Sequence, residues 1–148
     1  MKLFSRRLCS FIAALILTAT LLEPMACATA RASDYFAVTS AVAYAEENGK
    51  ILIEADVCAT ETMDEVGVKS ITIYEKQSDG YYDAVKTYTR YNTSGMIATN
   101  NYTHFKSLTY QGTIGNKYYA RIAFYAKNSE GNETLYSDTN VVTAVSIP

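Results

Sequence analysis

Ile51, Ile53, Ala55 and Val57 alternate with Leu52, Glu54, Asp56 and Cys58. A period of two sends one set to one face of a strand and the mostly polar other set to the opposite face. No stretch after residue 34 sustains an apolar period of 3.6, whereas alternation recurs along the chain. Ile71 and Ile73 alternate with Thr72 and Tyr74. Tyr118, Ala120, Ile122, Phe124 and Ala126 alternate with Tyr119, Arg121, Ala123, Tyr125 and Lys127. Val141, Thr143 and Val145 alternate with Val142 and Ala144. Tyr, Thr, Val and Ile fill these runs, as pleated half-buried surfaces favour.

Turn residues separate the runs: Glu47-Asn48-Gly49, Ser78-Asp79-Gly80, the segment around Gly115-Asn116, and Ser129-Glu130-Gly131-Asn132. Asp79-Gly80 accepts positive φ and predicts a hairpin. The expected strands are 35–44, 50–59, 68–76, 81–89, 103–110, 117–127 and 139–146. Seven short strands at this spacing predict an all-β antiparallel sandwich. Thr60–Gly67 reads as a connection with one helical turn, Thr62 capping and Glu65 three residues on. Asn92–Asn101 reads as a polar loop around Gly95, with Met96 and Ile97 tucked beneath it.

The first thirty residues read as an address. Lys2, Arg6 and Arg7 precede an uncharged run from Leu8 to Leu22. Glu23-Pro24 ends the run, and small residues follow through Ala30. This is the layout of a secretory signal, an N-terminal signal helix ahead of a domain spanning residues 31–148. Cleavage is expected after Ala30, with Ala28 and Ala32 as competing sites. The apolar run is short of the ~20 residues that span a membrane, so no membrane span is expected in the mature form. An uncleaved anchor, and lipidation at Cys27, are weaker readings. Pro24 and Glu23 fit a lipoprotein signal poorly.

Processing sharpens the composition. It removes Lys2, Arg6, Arg7 and Glu23, three positive charges against one negative, and so moves the net charge from −2 to −4. Such a chain lacks the basic footprint that nucleic acid requires. Cys9 and Cys27 leave with the signal, so Cys58 remains as a free thiol. An odd Cys in a secreted chain is either a quiet buried thiol or the site of an intermolecular disulfide, here a Cys58-linked dimer.

Residues 115–131, Gly115-Asn116-Lys117-Tyr118-Tyr119-Ala120-Arg121-Ile122-Ala123-Phe124-Tyr125-Ala126-Lys127-Asn128-Ser129-Glu130-Gly131, resemble the sixth strand of a fibronectin type III domain with its following turn. Ser137 and Val141–Thr143 resemble the closing strand. The resemblance implies an immunoglobulin-like sandwich. It also implies a structural tyrosine corner at Tyr118, whose hydroxyl would bond upstream backbone. The chain departs from that family in lacking the second-strand Trp and the Leu-x-Pro-Gly before the corner. It is similar as well to small secreted bacterial proteins with one signal peptide and one sandwich domain. Fold alone implies little about function.

Chemistry-bearing patterns are sparse. One His and one mature Cys cannot assemble an N/S zinc site, and no Asp-rich calcium loop occurs. Asp56, Asp64 and Glu65 read as solvated acids. Cys58 and His104 are the available thiol–imidazole pair, on different expected strands with nothing local to activate them. His104 lies beside Lys106 and reads as a surface His. Nucleophile-elbow, zincin and phosphate-loop motifs are missing. Paired carboxylates for glycoside hydrolysis need a cleft that so small a domain rarely makes. The expectation is therefore no enzymatic activity, no cofactor and no metal.

Thirteen Tyr are the compositional oddity. Tyr offers large contact area with a polar tip at low entropic cost. Tyr74, Tyr82, Tyr88 and Tyr125 fall on strands that neighbour one another in the resembled fold. They form the candidate binding surface, with the loops around Thr60–Gly67 and Asn92–Asn101 as the alternative. Sequons at Asn92, Asn101 and Asn132 lie in expected loops. The leading expectation is a non-catalytic secreted binding or interaction module for an extracellular protein or glycan. A structural cell-envelope component is the alternative. A small secreted hydrolase or inhibitor ranks third.

Overall fold

The computed structural model describes residues 33–146. The expected signal peptide and its helix lie outside the described residues. Seven strands form one antiparallel sheet: β1 (Phe36–Ala45), β2 (Lys50–Lys76), β3 (Tyr82–Thr89), β4 (Ile97–Gln111), β5 (Lys117–Asn128), β6 (Gly131–Asp138) and β7 (Val142–Thr143). Glu47–Gly49 forms a 3-10 turn between β1 and β2. No helix among the described residues is long and apolar enough to cross a membrane.

β2 organises the molecule. One of its edges pairs first with β1 and then with β5, and the other pairs first with β4 and then with β3. β6 and β7 both join β5. The sheet curls on itself as a half-barrel. Its inner face carries Ile51, Ile53, Ala55 and Val57 from the first half of β2. Val66, Val68, Ile71 and Ile73 come from the second half, opposite Tyr118, Ala120, Ile122, Phe124 and Ala126 of β5. These side chains are almost wholly buried, and their burial is the main favourable term holding the sheet in this curl.

The sequence predicts two strands at 50–59 and 68–76 with a helical turn between them; the structure has one continuous strand there. Met63 and Val66 are buried, and the backbone from Met63 to Gly67 pairs with Asn101 to Ile97 of β4. The reversal expected of a turn is replaced by register shifts between Cys58 and Met63 and between Val68 and Ser70. Such bulges bend a strand and raise its twist without ending its pairing. β4 accordingly begins at Ile97 rather than 103.

The last expected strand, 139–146, is also relocated. Gly131–Asp138 pairs with Arg121–Asn128 as β6, and beyond it only Val142–Thr143 is strand. Asn140 instead reaches across to β1: its Oδ1 accepts from the Ala43 N–H and its Nδ2 donates to the Ala43 carbonyl, each at 2.9 Å. At the other end of β1, the Ser33 hydroxyl donates to Glu133 of β6 at 2.7 Å. These contacts bring the free edges of β1 and β6 towards each other.

Register also inverts the expectation for His104. Phe105 stands opposite Asp56 on the outer face and is 55% exposed, while His104 stands opposite the buried Val57.

Candidate functional site

The outer face of β3, the second half of β2, β5 and β6 is where the tyrosines gather. Tyr74 and Tyr119 are directly opposite in the β2–β5 register. Cross-strand neighbours on one face stand close enough for their side chains to pack, and these two rings stack with centroids 4.8 Å apart and planes 4° from parallel. Tyr82 meets Tyr119 edge-on at 5.1 Å. The Arg121 guanidinium lies over the Tyr74 ring at 5.8 Å. Two bonds to Asp138 of β6, at 2.7 and 2.8 Å, hold that guanidinium in a fork. The pairing pushes Arg121 up and Asp138 down from their ordinary pKa ranges. Partial burial, then Asp138, raises the Tyr119 hydroxyl, so it stays a neutral donor and acceptor.

Of the four tyrosines singled out in the sequence, Tyr74 and Tyr82 join this network. Tyr125 shares the face further along but is only 8% exposed. The Lys69 ammonium lies 5.6 Å and the Arg90 guanidinium 5.4 Å from its ring centre. Tyr88 does not join them: it stands opposite the buried Ile71 and packs against the core. Tyr119 and Arg121 belong to the network instead. Their signal was the alternation of residues 118–127, which puts 119, 121 and 125 on one face.

At the far end of this face the Asn92–Asn101 and Thr60–Gly67 segments meet. Glu65 accepts from Arg90 Nη1 at 2.7 Å, with both side chains about a quarter exposed. Glu65 raises the Arg90 pKa further. Arg90 also covers one face of Tyr91 at 5.3 Å, and Tyr91 is itself 84% exposed. Glu65, Arg90, Tyr91, Thr93, Ser94 and Thr99 border a cleft of about 320 Å³ above Met96 and Ile97.

The loop that walls this cleft is tied down from several sides. The Val68 N–H donates to the Met96 carbonyl at 2.7 Å, and Lys106 donates to the Ser94 carbonyl at 2.8 Å. His104 Nε2 donates to the Gly95 carbonyl at 3.1 Å. Burial lowers the His104 pKa, which keeps the ring neutral near pH 7. Asn92 Oδ1 accepts from the Thr89 N–H and from Thr93 Oγ1. Gly67 permits the approach, since a Cβ there would collide with the Met96 carbonyl oxygen. No local sequence signal pairs Arg90 with Glu65, which lies 25 residues away.

Cys58 and His104 are not brought together. Cys58 stands opposite Thr103 on the outer face and His104 opposite Val57 on the inner face, so their side chains leave the sheet in opposite directions. The Cys58 thiol is half-buried and points to the Ala59 carbonyl at 3.6 Å. Asp56 lies beside Ser40 and Phe105 on the first half of the sheet, whereas Glu65 is engaged with Arg90. Among the described residues, no three His, Cys, Asp or Glu side chains gather as a metal site would require.

Tyr118 sits at the mouth of the core. Its hydroxyl accepts from the Thr113 N–H at 2.9 Å and donates to Glu75 Oε1 at 2.6 Å. Gly112 lies against the ring, where a Cβ would come within 2.9 Å.

No model of a known protein family matches the chain, and no relative is found for it among curated proteins.

Proposed function

We propose that the chain is a secreted, non-catalytic binding module that presents a tyrosine-rich recognition face on an immunoglobulin-like β-sandwich. The basic, apolar and small-residue succession of the first thirty residues supports export. Two features support the sandwich reading. The pairing divides into β1–β2–β4 and β3–β2–β5–β6, both halves drawing on β2. The Tyr118 hydroxyl also bonds backbone five residues upstream, as the corner of that fold does.

The observation that carries the binding reading is the prearranged network Tyr82–Tyr119–Tyr74–Arg121–Asp138 on an outer sheet face. Rings held by one another lose little further freedom when a partner docks. Tyr119 stacks on the Tyr74 ring and the Arg121 guanidinium also lies over it, so this network offers mainly edges and hydroxyls. That chemistry suits a hydrogen-bonding partner surface.

The test is binding of the full chain to cell surfaces and to arrayed extracellular proteins. It is compared with the triple variant Tyr74→Ser, Tyr82→Ser, Tyr119→Ser. Loss of binding with an unchanged circular dichroism spectrum supports the reading. Equal binding by both proteins overturns the assignment of this face.

A further inference from the structure

We infer that the cleft beside Tyr91 is a subsite for one uncharged pyranose ring of a glycan. This rests on the binding-module reading and names a ligand class for the far end of the same face. Tyr91 differs from the networked tyrosines in how its ring is used. Arg90 covers one side, and the exposure of the side chain leaves the other side to solvent. The C–H groups on one face of a pyranose carry partial positive charge and complement the negative face of an aromatic ring.

The polar wall matches hydroxyls in kind. Glu65 uses Oε2 on Arg90 and keeps Oε1 as an acceptor, while Arg90 gives Nη1 to Glu65 and retains further donors. A vicinal diol both donates and accepts, so it can bridge a carboxylate and a guanidinium side by side. Thr93, Ser94 and Thr99 add hydroxyls around the same space. A volume of about 320 Å³ suits a single sugar ring better than an extended chain.

The site is also built before any ligand arrives. Met96 is buried as an anchor, and the Met96, Gly95 and Ser94 carbonyls are each held by a donor from β2 or β4. Binding then costs little loop ordering. The Glu65 and Arg90 charges offset each other, so attraction to a neutral sugar does not depend on ionic strength.

The experiment titrates the full chain with neutral hexose oligosaccharides (gluco-, galacto- and manno-configured), following amide chemical shifts and heat of binding at low and high salt. Shifts are expected at Tyr91–Thr99, with an affinity unchanged by salt. Tyr91→Ala and Glu65→Gln should each weaken binding about five- to tenfold. Tyr91 is largely exposed and touches Arg90 rather than the core, so Tyr91→Ala should move the thermal midpoint little; the Tyr74→Ser, Tyr82→Ser, Tyr119→Ser variant should still bind the oligosaccharide.

Binding only of sulfated or carboxylated sugars, falling as salt rises, would assign the site to the cations Arg90 and Lys69 around Tyr125 and overturn the inference. Shifts confined to Tyr74, Tyr82 and Tyr119 would overturn it while leaving the module reading intact. Absence of any glycan response overturns it too. The module reading falls separately, by the cell-surface and protein arms of its own test.

Discussion

The Tyr118 hydroxyl donates to Glu75 Oε1 at 2.6 Å across 43 residues of chain. It fastens the end of β2 to the start of β5, and by accepting from the Thr113 N–H it also holds the turn that leads into β5. Tyr118→Phe keeps the ring in the core but strands the partly buried Thr113 N–H and leaves the Glu75 carboxylate to Asn116 alone. The expected cost is about 1–3 kcal/mol in an equilibrium urea titration, with m unchanged.

The same contact sets a pH dependence. Hydrogen bonds from Tyr118, and then from Asn116, hold the Glu75 carboxyl below its ordinary pKa. The folded chain thus binds this proton less readily than the unfolded chain. The resulting stabilisation is fully present above the unfolded carboxylate value, about pH 4.3. It fades as pH falls through the lower folded value. Wild type should therefore exceed Glu75→Gln in thermal midpoint at pH 7, and the gap should shrink below about pH 4. A gap independent of pH would show that Glu75 acts through its shape alone.

Asn140 occupies both backbone groups of Ala43 on the outer edge of β1. That strand, Phe36–Ala45, contains no charge and no proline, the devices that usually blunt a free edge. Asn140→Ala should cost about 1–2 kcal/mol in stability. It should also produce concentration-dependent association by analytical ultracentrifugation as the edge becomes free to pair. Asn140→Asp keeps one acceptor and should fall between the two.

Gly67 lets the 90–97 loop lie against β2. Gly67→Ala drives a Cβ into the Met96 carbonyl and should destabilise by about 2 kcal/mol or more. Loss of amide protection should concentrate at Val68, whose N–H donates to the Met96 carbonyl and is the first to be displaced. Hydrogen exchange read residue by residue checks this.

Much of the scaffold was legible because strand faces are a local property. The alternations at 51–57, 71–74 and 118–126 name core residues that are buried in the structure. Residues 60–67 were not legible. Their polar Thr60, Glu61 and Thr62 resemble a connection, and the strand is carried through by the pairing of Met63–Gly67 with β4 and of Glu65–Gly67 with β5. β6 was missed for a related reason. Gly-Asn-Glu-Thr-Leu-Tyr-Ser-Asp has no apolar alternation, and its hydrogen bonds to β5 decide its conformation.

By itself the sequence determined an antiparallel all-β chain, its main turns, the inner faces of β2 and β5, and an abundance of tyrosine. Alternation and turn chemistry act over a few residues and can be read in order along the chain. The tertiary structure decided the continuity of β2, the outward turn of Phe105, the Asn140 clasp on β1 and the meeting of Glu65 with Arg90 beside Tyr91. Each of these depends on register between distant strands, where a bulge or a shift of one residue moves a side chain to the other face.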